Sequence, residues 1–153
     1  VTGRRTALAE VCGLLNEEGA RYVLFGARAM QLWGTTRATR DIDVLIEPTV
    51  ENARRVLAAL SRSGLGLAKE WMAEDIVAHP VTVIGDAPRV DLFTVAWSVR
   101  YPEAVADAVT FDLEGVAIPT ASLEHLIVSK RTGRLQDAAD IEVLEEIRRL
   151  LGR

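Results

Sequence analysis

The sequence predicts an α/β (α+β) fold in which a mixed central sheet is flanked by helices, with a helical segment at the C-terminal end. Three observations predict it. Apolar residues recur at helical spacing near both ends of the chain, short β-prone runs bounded by glycine and proline lie between them, and two pairs of these runs are close enough in sequence to form hairpins.

The elements follow in order. Leu8, Val11, Cys12 and Leu15 place an apolar stripe on a helix from Arg4 to Glu18, which Gly19 stops. Tyr22 to Phe25 is a β-prone run that meets Gly26, and Ala27 to Leu32 opens a helix, giving a strand, turn and helix unit. After the polar stretch Thr35 to Arg40, Ile42 to Ile46 suits a buried strand closed by Glu47-Pro48, so Asp41 and Asp43 flank or occupy its start. Val50, Ala53, Val56, Leu57 and Leu60 share one face of a third helix, ended by Ser63-Gly64.

Val81 to Ile84 and Val90 to Phe93 flank a turn-rich stretch, Gly85 to Arg89, which predicts antiparallel strands with Asp91 in the second. Val109 to Leu113 and Val116 to Ile118 predict another hairpin around Glu114-Gly115, interrupted by Asp112. Thr120 or Ser122 can cap a helix carrying Leu123, Leu126 and Ile127, which reaches Lys130 before Gly133. Leu135 to Leu151 forms the last helix. Its stripe is Ile141, Leu144, Ile147 and Leu151, and Arg148, Arg149 and Arg153 favour the negative end of its dipole. No repeat, linker or low-complexity segment divides the chain, so residues 1–153 are expected to form a single domain.

Composition works mainly by exclusion. The share of apolar residues, 49%, against 26% charged is that of a folded protein, not a disordered one. A net charge of −4 argues against nonspecific coating of nucleic acid, which needs many cationic contacts with phosphates. No apolar run approaches the roughly 20 residues that cross a bilayer, and Val1 to Arg5 lacks the apolar segment of a secretory signal. The expectation is a cytoplasmic protein with no membrane partner. Cys12 lies among Val11, Leu14 and Leu15 and reads as a buried structural thiol. His79 and His125 have no ligands at zinc spacing, and Trp33, Trp71 and Trp97 read first as packing residues, with base stacking as the alternative.

The chemistry concentrates in Phe25-Gly26-Ala27-Arg28-Ala29-Met30 followed by Arg40-Asp41-Ile42-Asp43-Val44. Residues two apart on an extended segment project to one side, so Asp41 and Asp43 present two carboxylates together while Ile42 points to the core. Two close anions need compensation, and a hard divalent cation that also binds substrate phosphates supplies it. Asp91, on a different strand, can complete a three-carboxylate site. Gly26 would let the backbone approach a phosphate, and the helix that follows would direct amide donors towards it. Arg28, Arg37 and Arg40 could neutralise a triphosphate or contact an acceptor, or simply keep the surface soluble.

These residues resemble the DNA polymerase β-like nucleotidyltransferase superfamily, and particularly the minimal AbiEii-like nucleotidyltransferases of bacterial toxin-antitoxin systems. The similarity spans Tyr22 to Val44, Val90 to Phe93 and Ser129 to Leu144. The pattern is a glycine, usually followed by glycine or serine at a helix start, then Asp-x-Asp or Asp-x-Glu, then an acidic residue in a later strand. Here it maps onto Gly26, Asp41, Asp43 and Asp91. Lys130, Arg134, Asp137 and Asp140 look like the C-terminal basic and acidic motif of the AbiEii-like branch. Ala27 departs from the pattern; the backbone amide survives, but no hydroxyl meets the phosphate.

The resemblance implies a nucleotidyltransferase fold and transfer of a nucleoside monophosphate from a nucleoside triphosphate to an acceptor hydroxyl, on RNA such as a tRNA end or on protein. Asp41, Asp43 and Asp91 would be catalytic and hold Mg2+ or Mn2+. Gly26, Ala27, Arg28, Arg40, Lys130 and Arg134 would bind the nucleotide, and Arg37, Asp137 and Asp140 would support them. A cognate antitoxin is the further partner that the resemblance implies. The rival from another class is a noncatalytic nucleotide-binding or protein-interaction module that keeps the fold.

Overall fold

A computed structural model describes residues 5–36, 38–64, 66–86, 88–131 and 134–152. The chain runs through α1 (Ala7–Glu17), β1 (Tyr22–Phe25), α2 (Gly26–Trp33), β2 (Asp41–Ile46), α3 (Val50–Arg62), a 3-10 turn (Gly66–Glu70), α4 (Ala73–Ala78), β3 (Val81–Ile84) and β4 (Arg89–Phe93). It continues through α5 (Tyr101–Asp107), β5 (Val109–Leu113), β6 (Val116–Thr120), α6 (Leu123–Ser129) and α7 (Leu135–Leu150). Among the described residues six strands make one sheet in the order β3-β4-β2-β1-β6-β5. The β2–β4 and β1–β6 pairs are parallel and the other three antiparallel, so the expected mixed α/β architecture is observed.

Periodicity sets the helices. Leu8, Val11, Cys12 and Leu15 are all buried along α1, which starts at Ala7 because Thr6 caps it, its hydroxyl accepting from the Ala9 amide. Arg4, the expected start, lies outside the described residues. Ser122, not Thr120, caps α6 by accepting from the His125 amide, while Thr120 ends β6. On α7, Leu144 is buried and Ile141 and Ile147 pack against the core, but Leu151 lies past the helix end and is exposed, contrary to expectation. The β5–β6 hairpin forms in spite of Asp112, whose carboxylate accepts from the Gly115 amide at 3.2 Å. Both turn residues there, Glu114 and Gly115, have positive φ, as a two-residue hairpin loop of this twist requires.

Two features fix the part of the sheet that matters for chemistry. Asn52, buried on α3, accepts from the Arg21 amide at 2.7 Å and donates to the carbonyls of Arg21 and Glu47, both at 2.9 Å. It thus ties the start of β1 to the end of β2. At the other end of this antiparallel pair, Phe25 stands opposite Asp43, and Gly26 turns directly into α2. Cys12 is fully buried, and burial pushes its thiol up to about 12, in keeping with a structural role.

Candidate active site

Asp43 sits where three elements meet. The parallel register sets Asp41 opposite Arg89, Ile42 opposite Val90 and Asp43 opposite Asp91. Facing residues of neighbouring strands project to one side, so Asp41, Asp43, Arg89 and Asp91 share a face of the sheet, while Ile42 and Val90 are fully buried on the other. Gly26 approaches from β1. Its φ is +70°, and a Cβ there would lie 2.9 Å from Asp43 Cγ and closer still to Oδ2. The glycine, which the sequence assigned to the approach of a phosphate, is thus required by the Asp43 carboxylate packed over it.

Burial, then repulsion from Asp91 and Asp41, raises the Asp43 carboxyl from its ordinary 3.8 to about 6, with Lys130 and Arg89 opposing the rise. Its Oδ1 is buried without a hydrogen-bond partner. Asp91 is differently placed: Arg89 grips it with two hydrogen bonds, Nε to Oδ1 at 2.9 Å and a terminal guanidinium nitrogen to Oδ2 at 3.2 Å. Among the described residues no three acidic, histidine or cysteine side chains stand, as they are placed, so that they could hold a metal ion. Arg89 carries part of the compensation that an ion would otherwise supply to Asp91.

A cleft of about 180 Å³ opens beside Asp43, walled by Phe25, Gly26, Phe93, Ala96, Trp97, Ser129, Lys130 and Arg134. Lys130 follows the last residue of α6, and its ammonium lies 3.6 Å from Asp137 and 3.3 Å from Asp140 on α7. Those two carboxylates are buried and one helical turn apart, so both face Lys130. Arg134, preceding α7, donates to Asp137 at 2.8 Å, and Gln136 donates to Asp140 at 3.0 Å. The structure thus gathers Gly26, Asp43, Lys130 and Arg134 at one cleft, with Asp41 and Asp91 alongside Asp43 and with Asp137 and Asp140 behind Lys130.

Ala27, Arg28 and Arg40 are not in this wall. Arg28 is half-buried with Nε lacking an acceptor, Arg40 is exposed before β2, and Arg37 lies outside the described residues. Sequence reasoning passed over Arg89 and, apart from Trp97, the apolar wall. Arg89 had a signal, being two residues before Asp91 on a strand, where alternate side chains share a face. Phe25 and Phe93 carry no role in the sequence beyond the strands they end. Trp33 is a packing residue as expected, set edge-on to Phe111 at 5.1 Å with its indole donating to the Ala121 carbonyl.

Residues 4–153 match the family described as "Nucleotidyl transferase of unknown function (DUF2204)". The chain belongs to this family. No curated protein matches it. Membership of a nucleotidyl transferase family implies a nucleotide substrate. Among the described residues no helix is long and apolar enough to cross a membrane.

The Lys130 cluster makes a first prediction. Lys130→Ala should weaken binding of a nucleoside triphosphate roughly tenfold or more, since a charge-assisted hydrogen bond contributes about 1.5–3 kcal/mol. It should also destabilise the fold by roughly 3 kcal/mol, because two buried carboxylates lose their ammonium. Lys69→Ala, at an exposed position, should do neither. Calorimetric titration with thermal melts of both variants checks this, and equal small effects would return Lys130 to the role of an ordinary helix-end lysine.

Proposed function

We propose that this chain transfers a nucleoside monophosphate from a nucleoside triphosphate to an acceptor hydroxyl, releasing pyrophosphate, as a DNA polymerase β-like enzyme of the AbiEii-like branch. The observation that carries the reading is Asp43: a carboxylate with an unpartnered buried oxygen, crowded by Asp41 and Asp91, held over a glycine at the mouth of a cationic cleft. Such crowding is costly unless a cation is bound, so the residues fit a divalent ion. Asp41, Asp43 and Asp91 would hold it. Mg2+ or Mn2+ there supplies charge compensation for the carboxylates and the triphosphate and stabilises charge at the α-phosphate.

The chain's own residues do the rest. Gly26 and the first amides of α2, which has no side-chain cap, donate to the phosphates. Lys130 and Arg134 neutralise them, with Asp137 and Asp140 fixing the ammonium. Asp91 accepts the proton of the acceptor hydroxyl as its oxygen bonds to the α-phosphorus and the bond to pyrophosphate breaks. For that, Asp91 must leave Arg89, whose guanidinium is then free to face the triphosphate. The acceptor is RNA, such as a tRNA end, or a protein hydroxyl, and on the AbiEii-like reading the chain acts as one component of a toxin-antitoxin pair.

Arg89 also favours a second reading. Its double grip on Asp91 supplies charge without any ion, and with Ala27 at the helix start this suits a noncatalytic nucleotide-binding module. The deciding experiment incubates the protein with magnesium, total RNA or protein, and each nucleoside triphosphate labelled at the α- or the γ-phosphate. Label from the α position should appear on the acceptor, with the γ label in pyrophosphate. Triphosphate bound and recovered intact would favour the noncatalytic module.

A second prediction follows from the Arg89 grip. Arg89→Ala leaves Asp91 without its cation, so the variant should melt lower than the parent without divalent ions and gain more from added magnesium. Melting curves at matched magnesium concentrations check it; an equal or smaller magnesium effect in the variant would contradict metal binding at Asp91.

A further inference from the structure

Trp97 occupies a place that packing does not explain. It is 60% exposed, and its φ of 62° lies in the left-handed region, where a bulky residue is an outlier. The cause is a tight turn: the Ala96 and Val99 amides and carbonyls bond reciprocally at 2.8 and 2.9 Å, leaving Trp97 and Ser98 as a two-residue loop. Glycine and asparagine suit such a position. A tryptophan there pays in strain and in apolar exposure, and strain of this kind persists where a site uses it. The ring is also tethered, its Nε1 donating at 3.2 Å to the carbonyl of Arg131, which follows α6. Trp97 joins Phe25, Phe93 and Ala96 as the apolar residues of the cleft that Asp43 and Lys130 also line.

We propose that Trp97 is the platform on which the base of the nucleoside triphosphate stacks; this rests on the nucleotidyl-transfer reading. A base offers what this wall lacks, a flat polarisable ring beside a polyanion, and the phosphates then reach Gly26 and Lys130 from the apolar side of the same cleft. The cleft, about 180 Å³, is smaller than the roughly 300–1,000 Å³ that encloses a whole drug-sized ligand, so it holds the nucleotide only in part and leaves it open to an acceptor. Because the indole N–H is committed to Arg131, Trp97 reads a ring face and no base edge. Purines bind better than pyrimidines through stacking area, and adenine and guanine are held alike.

The test titrates the protein, in magnesium, with ATP and with inorganic tripolyphosphate, which has the phosphates and no base. The parent should bind ATP at least about tenfold more tightly than tripolyphosphate, the scale of one base–aromatic stack. Trp97→Ala should lower ATP affinity to that of tripolyphosphate and leave the latter unchanged, and Trp97→Phe should restore part of the preference. Trp97→Gly separates binding from folding, because glycine meets a φ of 62° without strain: it should lose the preference while melting no lower than Trp97→Ala. An ATP preference that survives Trp97→Ala overturns the base platform and leaves nucleotidyl transfer standing, as does an equal loss for both probes. A parent that binds neither probe overturns both readings.

Discussion

Asp43→Asn is expected to lower magnesium-dependent transfer roughly a hundredfold or more, as loss of a preorganised charge at a reacting phosphate does, and yet to melt above the parent at about pH 8. Burial, Asp91 and Asp41 hold the Asp43 carboxyl at about 6 in the folded chain, against an ordinary 3.8. Between those values the folded chain binds a proton that the unfolded chain has lost, so stability falls as pH rises through this window, and above it the ionised carboxylate is carried at full cost. Asparagine cannot ionise and escapes that cost. At ~1.36 kcal/mol per pKa unit the gain is of the order of 3 kcal/mol above the window and vanishes below it. Melts of both proteins across the window, without divalent ions, check the sign. Added magnesium should narrow the gap by compensating the parent's charge; a difference independent of pH would show that Asp43 is not under this electrostatic load.

Gly26→Ala should be the most damaging small substitution in the site, at about 2–5 kcal/mol. The left-handed backbone costs an alanine about 1–2 kcal/mol, and overlap with the Asp43 carboxylate adds about 1–3 kcal/mol because one of the two must shift. Gly19→Ala is the control: φ is likewise +70°, but nothing lies within 4 Å of the added Cβ, so only the backbone cost applies. Chemical denaturation of both variants measures the difference, and transfer should fall in Gly26→Ala as the carboxylate is displaced. Equal destabilisation at the two glycines would mean that Asp43 is not held against Gly26.

Much of this was legible because the patterns are local. A period near 3.6 marked α1, α3 and α7, and alternation on a strand put Asp41 and Asp43 on one side from spacing alone. The 3-10 turn and α4 and α5 were not read, since one or two turns are too short for a stripe and hold through tertiary packing. Pro102 near the start of α5 was the available signal. The pairing of β2 with β4 is long-range, so the sequence suggested Asp91 as a third acid but not its register with Asp43, nor the grip of Arg89 upon it. The strained exposure of Trp97 is likewise a property of a turn closed by Ala96 and Val99, which composition does not announce.

The most direct test of the central claim is transfer of α-labelled nucleotide in magnesium by the parent, Asp41→Asn and Asp43→Asn, each shown to be folded. The account predicts labelled acceptor from the parent and almost none from either variant, with Asp43→Asn at least as stable as the parent above about pH 6. A parent that transfers label alongside two folded variants of undiminished activity would contradict it, because these aspartates would then not be the metal site.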